Sequence, residues 1–285
     1  MSETSRKTQD SVDERKSPSG KIVYGAVLAE AREELDRPSS GLLWSGLAAG
    51  LSMGFSGLAM ALLRAHLPDA PWRPLIVHLG YSLGFLMVIL GRQQLFTENT
   101  LTPILPLLRK PTMFTLFNVL RLWVVVYVAN LLGALAMALV LAKTSLLSDD
   151  VHASYLEIAL EALHKPFGLM VLRAIFAGWL IAMIVWLMPF AEAARIWIII
   201  LLTYTVSLAG FPHAVAGAVE SFAAAFAGKA SWTDALLGYI LPTFLGNAIG
   251  GVTLVAALNH AQVLASGQSL DTAHEQNKSK DTGLP

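Results

Sequence analysis

Two polar runs interrupt long apolar stretches of this chain, and each carries groups able to hydrogen-bond or titrate. QQLFTENT (93–100) brings glutamines, the Thr97 hydroxyl and the Glu98 carboxylate, and FPHAVAGAVE (211–220) brings His213 and Glu220. Ionisable groups at membrane depth face protein or a wet pathway. An imidazole, with an ordinary pKa near 6.5, suits proton exchange with a passing solute, and His213 is the candidate for it; the rival role is capping a backbone break. Thr97 is either a gate hydroxyl bonding His213 or solute, or the N-cap of a following half-helix. Glu98 falls in the first turn of that half-helix, where the dipole stabilises a carboxylate. Glu220 lies seven residues after His213, two helical turns on along one face. It reads as a pathway carboxylate or as the buried partner of Arg121 or Arg173.

Composition bounds what these groups do. Of 285 residues, 55% are hydrophobic and only 14% charged, far below the roughly 25% charged of a soluble domain. A span takes about 20 apolar residues, and the apolar stretches suffice for six. A formal net charge of zero argues against nucleic-acid binding, which needs a basic face. With no cysteine, disulfides, thiol catalysis and thiolate metal sites are excluded. The other histidines (His66, His78, His152, His164, His260 and His274) fall in connections, span ends or the tail, and no HExxH or paired-ligand spacing occurs. A membrane-embedded enzyme or sensor is therefore the weaker class, and no cofactor or metal is expected.

The elements that must position these residues follow from the apolar pattern. Residues 1–40 form an N-terminal segment, polar and disordered over 1–20, with 21–37 mixing apolar and charged positions at helical spacing and suited to a membrane surface. Spans are expected near 42–64, 75–95, 114–142, 167–189, 193–211 and 233–258, making 41–260 the membrane domain and 261–285 a polar tail. Seven Lys and Arg lie in 1–41, with Arg109, Lys110 and Arg195 in turns on the same side. The opposite connections are poorer in cations, which puts both termini in the cytoplasm of a multi-pass protein of the cell inner membrane.

An internal repeat supports this layout. ANLLGA (129–134) echoes GNAIGG (246–251) about 117 residues on, each after one interrupted element. Two halves of three spans then face oppositely, the inverted repeat of many transport proteins. Irregular backbone at membrane depth survives only inside protein or beside a wet cavity, so both breaks are expected at one central pathway. A half-helix starting at each break would aim its positive end there, favouring a small anion. Asn130 and Asn247 are expected to bond backbone groups freed at kinks. Trp44, Trp72, Trp186 and Trp232 read as interfacial anchors.

GRQQLFTENT and GFPHAVAG, with RAIFAGWLIAMIVW (173–186), NLLGA and GNAIGG, resemble the formate/nitrite transporter family over about residues 40–260. RQQLFTENT, KPTM and LNHAQ look most like its YfdC-like branch. The resemblance implies an all-α membrane protein with an aquaporin-like protomer, broken second and fifth helices and a pentameric assembly. It also implies one pore per protomer, closed by two apolar constrictions around a histidine. By motif, Leu95, Phe96 and Thr97 fall on the loop of the second helix, Tyr81 and Phe85 on constriction positions before it, and His213 on the central histidine. Val206 stands where the family usually has an aromatic. The family's entrance lysine falls on Ala162, its partner asparagine on Gly178, the glutamate before the histidine on Pro212 and a later asparagine on Gly217. Lys165 lies one turn from Ala162. Glu98 and Glu220 replace small or apolar residues, which weakens anion attraction.

The resulting expectation is a channel or transporter for a small monovalent anion or its weak acid, formate- or nitrite-like, proton-linked through His213. An aquaporin-like pore for small neutral solutes is the alternative within transport.

Overall fold

In a computed structural model of the protein, residues 18–163 and 165–265 are described, and among them every regular element is helical. The elements are α1 (Gly20–Asp36), α2 (Ser39–His66), α3 (Arg73–Leu90), α4 (Ile104–Arg109), α5 (Met113–Lys143), α6 (Asp149–Ala162), α7 (Phe167–Leu187), α8 (Arg195–Leu208), α9 (Ala216–Phe226) and α10 (Asp234–Ala265). Five of them, α2, α3, α5, α7 with its 3₁₀ extension, and α10, are long and apolar enough to cross a membrane. The sixth span, expected over 193–211, is shorter: α8 has 14 residues, and α9 follows it after a break.

Both breaks begin the same way. Arg92 and Gly210 take left-handed φ values of 50° and 64°, and the next amide bonds five residues back, Gln93 to Val88 and Phe211 to Val206. This Schellman-type ending satisfies carbonyls the helix leaves open. It needs φ > 0, which Gly210 adopts freely and Arg92 only under strain.

Small residues hold the halves together in matching pairs. A side chain at Gly50 would strike the Asn130 carbonyl of α5, and one at Gly250 the Ile175 carbonyl of α7. The first and third helices of each half thus meet backbone to backbone, the close approach small residues permit in membranes. Gly178 is one of these contacts, lying against the Asn247 main chain.

Three expectations need correction. Residues 21–37 do form a helix, α1, but its apolar stripe (Tyr24, Val27, Leu28, Ala31, Leu35) is buried by the protein rather than laid on lipid. Its spacing of three and four residues matches one helix face, and full burial contributes about 1.5–3 kcal/mol per large apolar side chain. Second, the tail is helical to Ala265, and the Tyr24 hydroxyl meets His260 Nδ1 at 2.8 Å. The two ends of the described chain therefore lie together on one side, α1's. Third, the acidic connection after α5 is a 14-residue helix, α6, clamped to α2 by Arg64 with Glu157 and Glu161 at 3.1 and 2.8 Å. The disordered run drawn over 1–20 falls almost wholly outside the described residues, as does the tail beyond 265.

Candidate functional site: a central histidine between two breaks

The breaks meet as the repeat implies. The Phe96 amide donates to Asn130 Oδ1 at 2.9 Å, while Asn130 Nδ2 donates to the Gly46 and Gln94 carbonyls, both at 2.8 Å. In the other half the Ala214 amide donates to Asn247 Oδ1 at 2.8 Å, and Asn247 Nδ2 donates to the Ala174 and Pro212 carbonyls at 2.8 and 3.1 Å. Each asparagine thus bonds the unwound backbone of the neighbouring element and a carbonyl of its half's first helix. The expected role in freed backbone groups holds, but the groups belong to the breaks, not to kinks in α5 and α10. Buried backbone polar groups without partners are costly, so these two residues make the breaks possible.

His213 and Thr97 are fully enclosed and face each other across the centre, with His213 Nε2 and Thr97 Oγ1 2.8 Å apart. His213 Nδ1 accepts from the Val215 and Ala216 amides at 3.3 and 3.2 Å. A nitrogen that accepts carries no proton, so in the neutral ring the proton sits on Nε2, which donates to Thr97. His213 therefore caps the start of α9 and bonds the Thr97 hydroxyl at once. Because it precedes α9, its spacing to Glu220 is not two turns of one helix. Thr97 caps no helix with its side chain.

The expected convergence of two positive helix ends is only half present. Around Glu98 there is a three-residue 3₁₀ turn, Glu98–Thr100, and α4 starts only at Ile104. At α9 the amides of Ala214, Val215, Ala216 and Gly217 all have partners within the protein. The groups at the centre whose polar atoms face each other are the imidazole edge and the threonine hydroxyl, not bare amides.

The apolar candidates divide. Tyr81 and Phe85 lie with ring centres 5.3 Å apart, tilted by 45°, and Phe85 sits edge-on to His213 at 5.0 Å. Leu95 and Val206 are fully buried, Leu95 in the first break and Val206 in α8. Phe96 is anchored away from the histidine in a ring cluster with Tyr127, Phe244 and Trp123 at 4.7, 4.9 and 5.5 Å. The Trp123 indole N–H donates to the Asn99 carbonyl at 2.8 Å, fixing the polar run to α5.

The two carboxylates lie on opposite sides of the centre. Glu98 faces a cavity of about 410 Å³ on the α1 side that Glu30, Glu34, Arg37, Arg92 and Arg195 also line. Glu220 lies on the α6 side. Neither arginine considered for it serves: Arg121 donates to the Leu35 and Arg37 carbonyls, and Arg173 lies beside Gly210. The cation within electrostatic reach of Glu220 is Lys165. Burial holds the Lys165 ammonium below the ordinary lysine value, Arg173 adding to the shift and Glu220 and Glu161 opposing it. Ala162 ends α6, and Lys165 Nζ donates to the Glu161 carbonyl at 3.4 Å.

Sequence reasoning missed Tyr155, Tyr239, Gln94 and Asn99. Gln94 links the first break to α1, its Nε2 donating to Glu34 Oε1 at 3.3 Å and its Oε1 accepting from Asn99 at 2.8 Å. The Thr102 hydroxyl donates to Glu34 Oε2 at 2.6 Å.

Apolar spans in two inverted halves, each broken and each break pinned by an asparagine, define a polytopic membrane channel or transporter rather than an enzyme. The model of the formate/nitrite transporter family matches residues 21–261, and the chain belongs to that family. It is 38% identical to the inner membrane protein YfdC of Escherichia coli (strain K12) over 253 residues, 88% of this chain and 82% of that one. It is 30% identical to the formate channel BtFdhC of Bacillus thuringiensis over 216 residues, 73% of this chain and 80% of that one. The fold is similar to that of a pentameric formate channel solved with formate bound, with a TM-score of 0.68 at 20% identity, covering 79% of this chain and 98% of the other.

Proposed function

We propose that the protein passes a small monovalent weak acid, formate- or nitrite-like, across the cell inner membrane. The solute crosses the apolar constriction in neutral form and is received at the His213–Thr97 pair, its uptake coupled to protons. The observation that carries this reading is the 2.8 Å contact between His213 and Thr97 where the two breaks meet. A bare anion stripped of water at Tyr81 and Phe85 would lose several kcal/mol or more of hydration, whereas the neutral acid would not. The imidazole edge and the threonine hydroxyl are the polar groups that receive it there. Family membership and the similar fold of a solved pentameric formate channel support five copies, each with its own pore. The Lys and Arg asymmetry, with α1 and the end of α10 on one side, supports cytoplasmic termini.

A second reading, a pore for small neutral solutes, is favoured by the satisfied amides of α9 and by the buried Glu220, both unhelpful to an anion. Flux of formate, nitrite, hydrosulfide, acetate, water and glycerol into proteoliposomes at an acidic and a neutral pH separates the two. Acid-stimulated formate or nitrite uptake, abolished by His213→Phe, is expected. Uptake of water or glycerol alone would replace the weak-acid reading with the second.

A further inference from the structure

His213 is poorly placed to give a solute its proton. Adding a second proton at Nδ1 would set an N–H against the Val215 and Ala216 amides, which already donate to that nitrogen, and removing the Nε2 proton would leave an imidazolate in an apolar enclosure. Thr97 is a neutral hydroxyl. The central pair can bond the acid, but proton exchange needs a group whose two protonation states both fit the site.

Glu220 is such a group. It is 7% exposed, on the inner face of α9. A Cβ added to Gly57 of α2 would lie 3.3 Å from Glu220 Oε1 and 3.0 Å from the Tyr155 ring, so carboxyl and phenol share a space that only a glycine leaves open. The Tyr155 hydroxyl, on the wholly buried side chain of α6, has no hydrogen-bond partner. The Tyr81 and Tyr239 hydroxyls are within electrostatic reach of the carboxyl. These two phenols connect Glu220 to the centre: Tyr81 packs against Phe85, which abuts His213, and Tyr239 adjoins the His213 main chain.

We infer that Glu220, not His213, exchanges the proton with the passing acid, on the α6 side of the constriction. The inference rests on the weak-acid reading. The Glu220 carboxyl O–H breaks as an O–H forms on the incoming carboxylate, leaving the Glu220 carboxylate and the neutral acid. The acid then passes Tyr81 and Phe85 to the His213–Thr97 pair. The carboxylate regains its proton from water on the α6 side, or from the acid itself when flow reverses. The groups that face it are Tyr155 and Glu161 of α6, Lys165 before α7, Tyr81 of α3 and Tyr239 of α10, and Gly57 of α2 lies against it. Lys165, held by Glu161 and in reach of Glu220, draws the anion to this mouth and stabilises the carboxylate once the proton has left.

The test is formate-driven proton flux in proteoliposomes, with an internal pH dye, for the parent and Glu220→Gln. In Glu220→Gln, proton flux per formate and the acid stimulation of uptake are expected to fall about a hundredfold or more, the scale on which a positioned proton donor acts. A variant with the parental proton-to-formate ratio and pH profile would overturn the inference. Parental protein that moves no formate would instead sink the weak-acid reading. Infrared difference spectra of the solubilised full chain decide independently of flux and of the variant's yield. The parent is expected to lose a protonated-carboxyl band on formate addition, and Glu220→Gln to show no such loss. The absence of that change in the parent, or its persistence in the variant, counts against Glu220.

Discussion

The hydroxyl of Tyr239 fills the space that a side chain at Gly217 would need. Where the family resemblance leads one to expect an asparagine reaching toward the histidine, α9 instead presents bare backbone and α10 supplies a phenol. A polar group thus reaches this place from a different helix.

Gly217→Ala is expected to destabilise the protein by about 1–3 kcal/mol, the usual cost of overpacking a closed interior. Pairing it with Tyr239→Ala should recover part of the loss, because the methyl then enters vacated space. Thermal unfolding in detergent measures both, and additive losses would show that the two positions do not meet.

Asn130→Ala and Asn247→Ala each strip partners from one backbone amide and two carbonyls. A buried unsatisfied group costs about 1–3 kcal/mol, so either change is expected to collapse the yield of monodisperse protein. Because the two bond sets match, the losses should be similar, and Asn→Asp, which keeps the acceptor, should fall between. A harmless Asn247→Ala beside a ruinous Asn130→Ala would refute the equivalence.

Thr97→Val removes the hydroxyl opposite His213 Nε2 and keeps the volume. Losing one hydrogen bond to the permeating acid costs about 0.5–1.5 kcal/mol, so uptake is expected to fall several-fold. Thr97→Ser should stay near the parental rate. Equal rates in both variants would make Thr97 a spacer only.

Glu34 sets a pH dependence for α1. Burial raises its pKa above 4.5, with the hydrogen bonds from Thr102 and Gln94 opposing. The folded state therefore binds the proton more tightly than the unfolded chain. Its contribution to stability is full below the unfolded value and fades as pH rises through the folded one. Hydrogen exchange over 20–36 is expected to quicken across that window and to lose the dependence in Glu34→Gln. Exchange that slows with rising pH, after correction for the intrinsic rate, would reverse the sign.

Legibility followed the cost of burying polar groups. The breaks could be read because QQLFTENT and FPH have no place in hydrocarbon, and the halves because Asn130 and Asn247 recur in small-residue runs. Helix α6 is also readable, since Asp149 and Asp150 open it and Val151, Tyr155, Ile158 and Ala159 follow at helical spacing, although it lies between two expected spans. Tyr239 was not legible. It lies in a π-helical stretch, Asp234–Ile240, which shifts the register on which a 3.6-residue pattern depends. For Phe96 the facing is not legible, because an aromatic beside a polar break looks the same in sequence whether it faces a lumen or a ring cluster such as the one it joins with Tyr127, Phe244 and Trp123.

The clasp between Tyr24 and His260 carries a consequence for biosynthesis. Among the described helices the earliest in the chain, α1, has its apolar stripe covered in part by the end of α10, and the His260 partner of the Tyr24 hydroxyl is made only then. Until then α1 rests mainly on α4, α5 and α7, and completion of its seat reports that the last span is in place. A nascent chain stalled inside α10 would leave that stripe partly uncovered, the kind of signal by which quality-control proteases tell an unfinished chain from a finished one.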